Sequence, residues 1–175
     1  MGQASVDYNN RVMLPNTKPS FASLDKRLAD MDAMGVDVQV VSPSPNQYHY
    51  WAPADLAEEL VEIQNSQMAE LCARAPERLV PLGAMAMQHP LLAVEQLRHA
   101  VKQLGFKGVE ISSAIAGTEL SDRRFDPVWA AAEALGALIF IHPLGCSLNE
   151  RLAPAYLSNT VGQPVEHAVA LSHLI

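Results

Sequence analysis

Residues 135–143 read Leu-Gly-Ala-Leu-Ile-Phe-Ile-His-Pro, an apolar run that leads without interruption into a histidine and a proline. Such a run is typical of a parallel strand that is buried on both faces. Pro143 cannot donate to a strand ladder and favours an extended conformation at the residue before it, so we expect the strand to end at His142. In α/β proteins the chemistry gathers where parallel strands end, which makes His142 the first candidate functional residue. The alternative is a buried histidine whose ring is satisfied by the backbone.

The composition is typical of a soluble globular protein with one sizeable core, since 49% of the 175 residues are hydrophobic and 18% are charged. No apolar stretch approaches the roughly 18 residues of a membrane span, and the N-terminus lacks a signal-peptide pattern, so we expect a cytoplasmic protein. The formal net charge of −7 comes without a basic cluster, which argues against nucleic acid or a membrane as partner. Cys72 and Cys146 are too far apart in sequence to resemble a disulfide framework or a zinc ribbon.

Helical and extended patterns alternate from residue 24 to the end of the chain, which predicts βα units around a parallel sheet. Residues 1–23 are polar and rich in Pro, Asn and Ser, and we interpret them as a loop. The predicted helices cover 24–34, 54–74, 90–104, 125–135 and 164–174, the strands cover 36–42, 79–84, 107–112 and 137–142, and a loop covers 143–162. Gly35, Gly105 and Gly136 are the expected stop signals of three helices.

The loop over 42–53 carries an aromatic cluster, and its members are Tyr48, His49, Tyr50 and Trp51. Aromatic residues after a strand can wall a pocket, and the alternative is that they pack the loop onto the rim of the sheet. We keep His49 as a candidate substrate-binding residue. On the helix that follows, the spacing predicts a buried face made of Leu56, Leu60, Ile63 and Leu71.

Four segments together resemble a known family. They are Ala29-Asp-Met-Asp-Ala-Met-Gly-Val-Asp-Val-Gln-Val-Val-Ser-Pro, Gly105-Phe-Lys-Gly-Val-Glu-Ile-Ser-Ser, Phe140-Ile-His-Pro and Val161-Gly-Gln-Pro-Val-Glu. Their order and spacing are similar to the amidohydrolase-related (β/α)₈ barrels, and within these to the aminocarboxymuconate semialdehyde, resorcylate, 5-carboxyvanillate and dihydroxybenzoate decarboxylases. The resemblance runs from about residue 24 to the end. It implies an incomplete TIM barrel with about strands two to five and their helices.

The resemblance implies one divalent metal ion, zinc or manganese, at the C-terminal mouth of the barrel, with His142 as one ligand. The family's other ligands are a His-x-His pair on the first strand and an aspartate after the eighth, and a histidine after the sixth strand serves in proton transfer. No His-x-His occurs in this sequence, and we expect the sixth strand to lie beyond Ile175. We therefore expect residues 1–175 alone to be inactive, to hold no metal tightly and to associate through exposed strand edges.

The remaining histidines are interpreted as structural. His89 and His99 lie at the start and on the outer face of a helix, where we expect exposure to solvent. His167 and His173 are six residues apart, so they lie on different faces of the last helix and cannot clamp a metal as an i, i+4 pair does. Lys107 opens its strand, at the wrong end for the carboxylated lysine that bridges two metals in some amidohydrolases. This favours a mononuclear site.

The activity that the resemblance implies is non-oxidative decarboxylation of a small aromatic or muconate-type carboxylic acid, and we expect a homodimer when the protein is intact. Hydrolysis of a lactone or amide on the same barrel and a non-catalytic barrel fragment stay open as alternatives. The candidate substrate-binding residues are His49, Ser112, Cys146, Arg151 and Asn159. Arg151 is the candidate partner of a substrate carboxylate, with a surface ion pair as the alternative, and Cys146 is otherwise an ordinary buried thiol.

Overall fold

Helices alternate with strands along the chain, as the sequence predicts. The structure, a computed structural model, describes residues 7, 11–12, 15, 21, 23–152 and 154–175, and the loop predicted over 1–23 lies largely outside the described residues. The helices are α1 (Leu24–Met34), α2 (Ala54–Ala73), α3 (Pro90–Lys102), α4 (Asp126–Leu135) and α5 (Gln163–Leu174), and the strands are β1 (Gln39–Val41), β2 (Leu79–Gly83), β3 (Gly108–Ile111), β4 (Ala114–Ile115), β5 (Thr118–Glu119) and β6 (Leu138–Ile141). The chain forms two units, Met1–Gln39 and Val40–Ile175.

In the first unit, α1 begins and ends where local signals predict. The Ser23 hydroxyl accepts a hydrogen bond from the amide of Lys26 at 3.3 Å, which caps the N-terminus of the helix. Gly35 ends the helix in the left-handed region, with φ 68°. Leu24 and Met31 are the buried residues of this helix.

The second unit is organised by one sheet with the strand order β1-β2-β3-β6. β2 and β3 pair in parallel, with Leu82 opposite Gly108, and β3 and β6 pair in parallel from Gly108 opposite Leu138 to Ile111 opposite Ile141. Successive strands of this kind need crossover helices, which α3 and α4 provide. Each of the four strands is shorter than predicted, by one to four residues. After β3, the short antiparallel hairpin of β4 and β5 is an addition to the predicted elements.

The two faces of the sheet differ in burial. On one face, Val109 and Ile111 of β3 pack with Ile139 of β6 in the main core, together with residues of α3 and α4. The opposite face carries Leu138 and Phe140, which are 52% and 45% exposed. Side chains alternate along a strand, so this second face is the one that the helices α3 and α4 do not cover. In a barrel with helices on its outside, that face is the inside. A partly open apolar inner face fits the incomplete barrel that the sequence predicts.

The helices α3 and α4 each bury one apolar face. Val94 and Leu97 of α3 are buried, as are Val128 and Ala132 of α4. Gly136 ends α4 with φ 60°. Within the described part of the chain, no helix is long and apolar enough to cross a membrane.

The buried face of α2 differs from the predicted one. Ala57, Val61, Asn65 and Cys72 are buried, whereas Ile63 is 54% exposed, so the prediction for Ile63 is wrong. The physical reason is a polar contact with the end of β2. The side-chain amide of Asn65 accepts a hydrogen bond from the amide of Ala84 at 2.8 Å and donates one to its carbonyl at 3.0 Å. This pair of bonds fixes which side of the helix turns inward.

The predicted loop over 143–162 contains three short helical turns. They cover Asn149–Leu152, Pro154–Tyr156 and Ser158–Gly162, and α5 follows the last of them directly. Within the second turn, Ala155 has a left-handed backbone with φ 54°. The chain therefore reaches α5 through a series of tight turns, where the sequence predicts a loop.

Candidate functional site

His142 follows β6 at the C-terminal end of the sheet, as the sequence predicts. Its amide donates a hydrogen bond to the carbonyl of Ile111 at 2.8 Å, which extends the contact between β3 and β6 by one residue. Its ring packs edge-on against Phe140, with ring centroids 6.5 Å apart and an interplanar angle of 69°. His142 and Phe140 therefore share the open face of the sheet.

The ring of His142 is held by the backbone through one nitrogen. Its Nδ1 lies 2.9 Å from the carbonyl oxygen of Pro143, and this contact is a hydrogen bond when Nδ1 carries the proton. In the neutral ring, Nε2 then carries the lone pair. No hydrogen bond reaches Nε2 from the part of the chain that the structure describes. Metal-binding histidines commonly have this arrangement, in which one nitrogen donates to a carbonyl and the other is available to the ion.

A buried carboxylate lies on the neighbouring strand. Glu110 of β3 is 2% exposed and stands opposite Phe140 in the strand register. The Tyr48 hydroxyl donates a hydrogen bond to Glu110 Oε1 at 2.6 Å, and the Ser42 hydroxyl donates one to Oε2. Because an ionised carboxylate only accepts hydrogen bonds, these two donors compensate for its burial. The Tyr48 hydroxyl also lies 3.1 Å from the carbonyl oxygen of His142.

The two tyrosines of the loop after β1 are neutral hydrogen-bonding groups. Burial raises the pKa of Tyr48 far above its usual value, and the hydrogen bond to Glu110 and the charge of that residue add to the effect. Burial likewise raises the pKa of Tyr50. The two rings are stacked, with centroids 5.3 Å apart, and the Tyr50 hydroxyl accepts a hydrogen bond from the amide of Ser112 at 3.3 Å. Both hydroxyls thus tie the loop to β3 or its end.

His49 lies in the same loop in a strained conformation. Its φ is 51°, in the left-handed region that non-glycine residues seldom adopt. Burial lowers the pKa of its imidazole, which is therefore neutral at neutral pH. The ring packs edge-on against Trp51 at 5.9 Å, and Trp51 itself is 57% exposed. Strain of this kind tends to cluster at functional sites, which keeps His49 a candidate.

A cleft of about 550 Å³ opens at the strand ends. Its walls come from the loop after β1, from residues after β3 and from residues after β6. The candidate residues His49, Ser112 and Cys146 line it, and Glu166 of α5 lines it as well. His142 is not among its lining residues, but Leu144, two positions later, is one of them. The cleft therefore lies beside the segment that follows His142, and it brings together three of the five substrate-binding residues predicted from the sequence.

Glu166 is bound to the loop after β6. Its Oε1 accepts hydrogen bonds from the hydroxyl of Ser147 at 2.5 Å and from the amide of that residue at 2.7 Å. These two hydrogen bonds lower the pKa of Glu166. A Cβ at Gly162 would lie 2.6 Å from Cys146 Sγ, so the close approach of these segments depends on a glycine.

Arg151 and Asn159 are not brought into the cleft. Both are exposed, Arg151 in the turn Asn149–Leu152 and Asn159 in the turn Ser158–Gly162, and neither lines it. Asn159 Oδ1 accepts a hydrogen bond from the Ser158 hydroxyl at 3.3 Å. A role of these two residues in substrate binding stays a prediction.

Exposure was predicted for His89, just before α3, and for His99 on α3. His99 is exposed, as expected, and Lys107, just before β3, is exposed as well. His89 is half-buried, because its Nε2 lies 3.0 Å from the carbonyl oxygen of Ala52. The expected exposure of His89 is therefore wrong, since the loop after β1 supplies a backbone acceptor.

His167 ties α5 to the end of β6. Its Nδ1 lies 2.9 Å from the carbonyl oxygen of Gln163, and its Nε2 lies 2.9 Å from that of Ile141. Both ring nitrogens are thus engaged with the backbone, whereas His173 is exposed. Among the residues that the structure describes, no three His, Cys, Asp or Glu side chains come together as a metal site.

Sequence patterns did not identify Glu110 or Ser42 as site residues, and they placed Tyr48 in the aromatic loop without its carboxylate partner. A signal was present, because Glu110 is the single charged residue in the segment Gly108–Ile111 that forms β3. A charge within a buried strand requires polar partners. Its partners Ser42 and Tyr48 are 68 and 62 residues away, and no local pattern identifies them.

Comparisons with known proteins identify relatives of this chain. The amidohydrolase family profile matches residues 7–171. A 2-amino-3-carboxymuconate-6-semialdehyde decarboxylase from Dictyostelium discoideum is 32% identical over 86% of this chain and 42% of its own length. The chain thus spans less than half the length of this curated relative.

Two solved structures have a similar fold. The 5-carboxyvanillate decarboxylase of Sphingomonas paucimobilis matches with a TM-score of 0.77 and 29% identity, over 85% of this chain and 45% of that one. The enzyme of the same activity from Novosphingobium aromaticivorans, in complex with manganese and 4-hydroxy-3-methoxy-5-nitrobenzoic acid, has a TM-score of 0.77 and 28% identity, over 83% of this chain and 42% of its own. The predicted resemblance and the incomplete barrel fold are confirmed.

Proposed function

The chain belongs to the amidohydrolase family, and we propose that it forms part of a metal-dependent, non-oxidative decarboxylase of small aromatic or muconate-type carboxylic acids. The observation that carries the proposal is the geometry of His142. Its Nδ1 is held by the carbonyl of Pro143, and its Nε2 is left available at the C-terminal end of the sheet. The relatives with the same fold act as decarboxylases of such acids, and one of them holds manganese.

The described residues fit one ligand position of a divalent ion and not a complete set. An imidazole nitrogen suits zinc or manganese equally well. A catalytic zinc, however, needs about three protein ligands, and no such group occurs among the described side chains. We therefore expect the remaining ligands to come from barrel strands outside residues 1–175. On this proposal, residues 1–175 alone are non-catalytic.

The cleft next to His142 suits a flat aromatic acid. Tyr50, Trp51 and His49 provide an aromatic wall, and an apolar ring packs well against such surfaces. Glu166 forms part of the wall that α5 provides, and its pKa is lowered, so it carries negative charge. A substrate carboxylate is repelled from that wall, which favours its orientation toward the serine hydroxyls of Ser112 and Ser113 in the same cleft.

The test is decarboxylation by the complete product of the gene that encodes residues 1–175. The purified protein is incubated with 2,6-dihydroxybenzoate or 5-carboxyvanillate in the presence of manganese or zinc, and carbon dioxide release is measured. This product distinguishes decarboxylation from hydrolysis of a lactone or amide. The His142→Ala variant is expected to lose metal content and turnover together, because an imidazole ligand is removed.

The control is His99→Ala, since His99 is an exposed histidine on α3 that does not line the cleft. It is expected to keep both metal and activity. A His142→Ala protein with full metal content and full turnover contradicts the proposal. The cytoplasmic location and the homodimer expected from the sequence stay predictions, and light scattering on the same preparation measures the oligomeric state.

A further inference from the structure

The Tyr48 hydroxyl joins two groups of the site. It lies 2.6 Å from Glu110 Oε1 and 3.1 Å from the carbonyl oxygen of His142. Tyr48 and Glu110 are 6% and 2% exposed, so these contacts are shielded from water. A hydroxyl has one proton and cannot donate fully to two acceptors. The shorter distance assigns that proton chiefly to the carboxylate, with the carbonyl as the weaker, second acceptor.

The carbonyl of His142 belongs to the peptide that sets the direction of the imidazole. That peptide links His142 to Pro143, and the ring Nδ1 binds the carbonyl of Pro143 at 2.9 Å. Proline has no amide hydrogen, so this peptide cannot be fixed by a donor of its own. The amide of His142 is already held by Ile111 at 2.8 Å. Tyr48 therefore supplies the contact on the other side of the residue.

We propose that Tyr48 is a positioning residue for His142: its hydroxyl, anchored on Glu110, fixes the peptide between His142 and Pro143 and thereby the direction of Nε2. This inference rests on the proposed role of His142 as a metal ligand. The structure also offers a matched comparison. Ser42 binds the other oxygen of Glu110, and its hydroxyl bond goes to Glu110 and not to His142.

The experiment compares Tyr48→Phe with Ser42→Ala in the complete gene product. Each change removes one hydroxyl donor from the same carboxylate, and phenylalanine keeps the ring that stacks on Tyr50 at 5.3 Å. Both variants are expected to lower the thermal midpoint of the metal-free protein by similar amounts. Tyr48→Phe alone is expected to weaken Mn²⁺ binding, by about 10–100-fold as is usual for a lost outer-shell contact, measured by electron paramagnetic resonance of the free ion.

Glu110→Gln is a conservative variant that keeps hydrogen-bonding groups for both Ser42 and Tyr48. A glutamine amide can accept from Ser42 through its oxygen and donate to the oxygen of Tyr48 through its nitrogen. The tyrosine proton is then free for the carbonyl of His142. We expect this variant to bind Mn²⁺ with an affinity close to that of the unsubstituted protein, although the charge of Glu110 is lost.

The outcomes separate the two proposals. If the unsubstituted protein binds no Mn²⁺, or if His142→Ala binds it equally well, the proposed function fails. If His142→Ala loses the ion but Tyr48→Phe and Ser42→Ala weaken binding to the same extent, Tyr48 has only a structural role. General destabilisation is expected to lower the Mn²⁺ affinity of both hydroxyl variants. Equal losses in Tyr48→Phe and Ser42→Ala therefore overturn the positioning role.

Discussion

Replacing Gly108 with alanine is expected to separate β3 from β6. Gly108 stands opposite Leu138 in the register of the two strands. A Cβ at Gly108 would lie 1.8 Å from the carbonyl oxygen of Leu138, 2.6 Å from its carbonyl carbon and 2.7 Å from its nitrogen. All three are backbone atoms, so no change of rotamer relieves the overlap.

The magnitude follows from how far the strands must move. Non-bonded heavy atoms prefer separations of about 3.5 Å, so the 1.8 Å contact requires the backbones to part by about 1.7 Å at this position. The nearest bond between the strands runs from the amide of Leu138 to the carbonyl of Lys107 at 2.9 Å. Breaking it leaves a donor and an acceptor without partners, at about 1–3 kcal/mol each. We therefore expect Gly108→Ala to lower the free energy of unfolding by about 2–6 kcal/mol.

Gly136→Ala is the matched control. Gly136 lies shortly before β6 with φ 60°, and no atom lies within 4 Å of the position of an added Cβ. Alanine there costs only the left-handed conformation, about 1–2 kcal/mol. Urea titrations followed by circular dichroism measure the free energy of unfolding of both variants. Agreement between two protein concentrations shows that association does not contribute. If Gly108→Ala costs no more than Gly136→Ala, the register of β3 and β6 is wrong, and the position of His142 at the end of β6 is wrong with it.

Three further predictions concern substrate binding, association and pH. Arg151→Lys in the complete gene product is expected to raise the Michaelis constants for aromatic acids, and unchanged constants across a panel of such acids refute the pairing role. Residues 1–175 alone are expected to self-associate and to hold no stoichiometric zinc or manganese by plasma mass spectrometry, while Phe140→Lys reduces the association seen by sedimentation; a monomeric preparation with stoichiometric metal contradicts this. The pKa of Glu166 is lowered in the folded state, so its contacts with Ser147 stabilise the protein fully above the ordinary glutamate pKa of about 4.3 and are lost as the pH falls through the lower folded value. In urea titrations at several pH values, Glu166→Gln is expected to remove that part of the acid sensitivity, and an identical pH profile in the variant speaks against it.

The ends of the elements were predictable where the signal is local. Gly35 and Gly136 end α1 and α4 with φ 68° and 60°, conformations that glycine adopts at little cost. The apolar run before His142 likewise predicts a strand that ends at His142, and β6 ends one residue earlier, at Ile141. Each of these predictions depends on residues next to one another in the chain, so the local sequence is enough to make it.

The buried polar contacts were not predictable because they join distant residues. Glu110 and Tyr48 are 62 residues apart, and Asn65 and Ala84 are 19 apart. Helical spacing alone predicts Ile63 on the buried face of α2, but the contact of Asn65 with the end of β2 decides the orientation of that helix. Hydrophobic periodicity describes which residues prefer burial, and it does not describe which buried polar group has found a partner.

The open face of the sheet links the fold of this chain to its chemistry. Leu138 and Phe140 are about half exposed on the same face from which the ring of His142 is presented. In a closed barrel, the strands that cover these apolar side chains also bring further residues to the same mouth. Covering the face and completing the ligand set are thus one structural event, and metal binding then contributes to the stability of the closed form. On the proposed role of His142, the open apolar face and the incomplete ligand set therefore have one cause, because both need the strands that close the barrel.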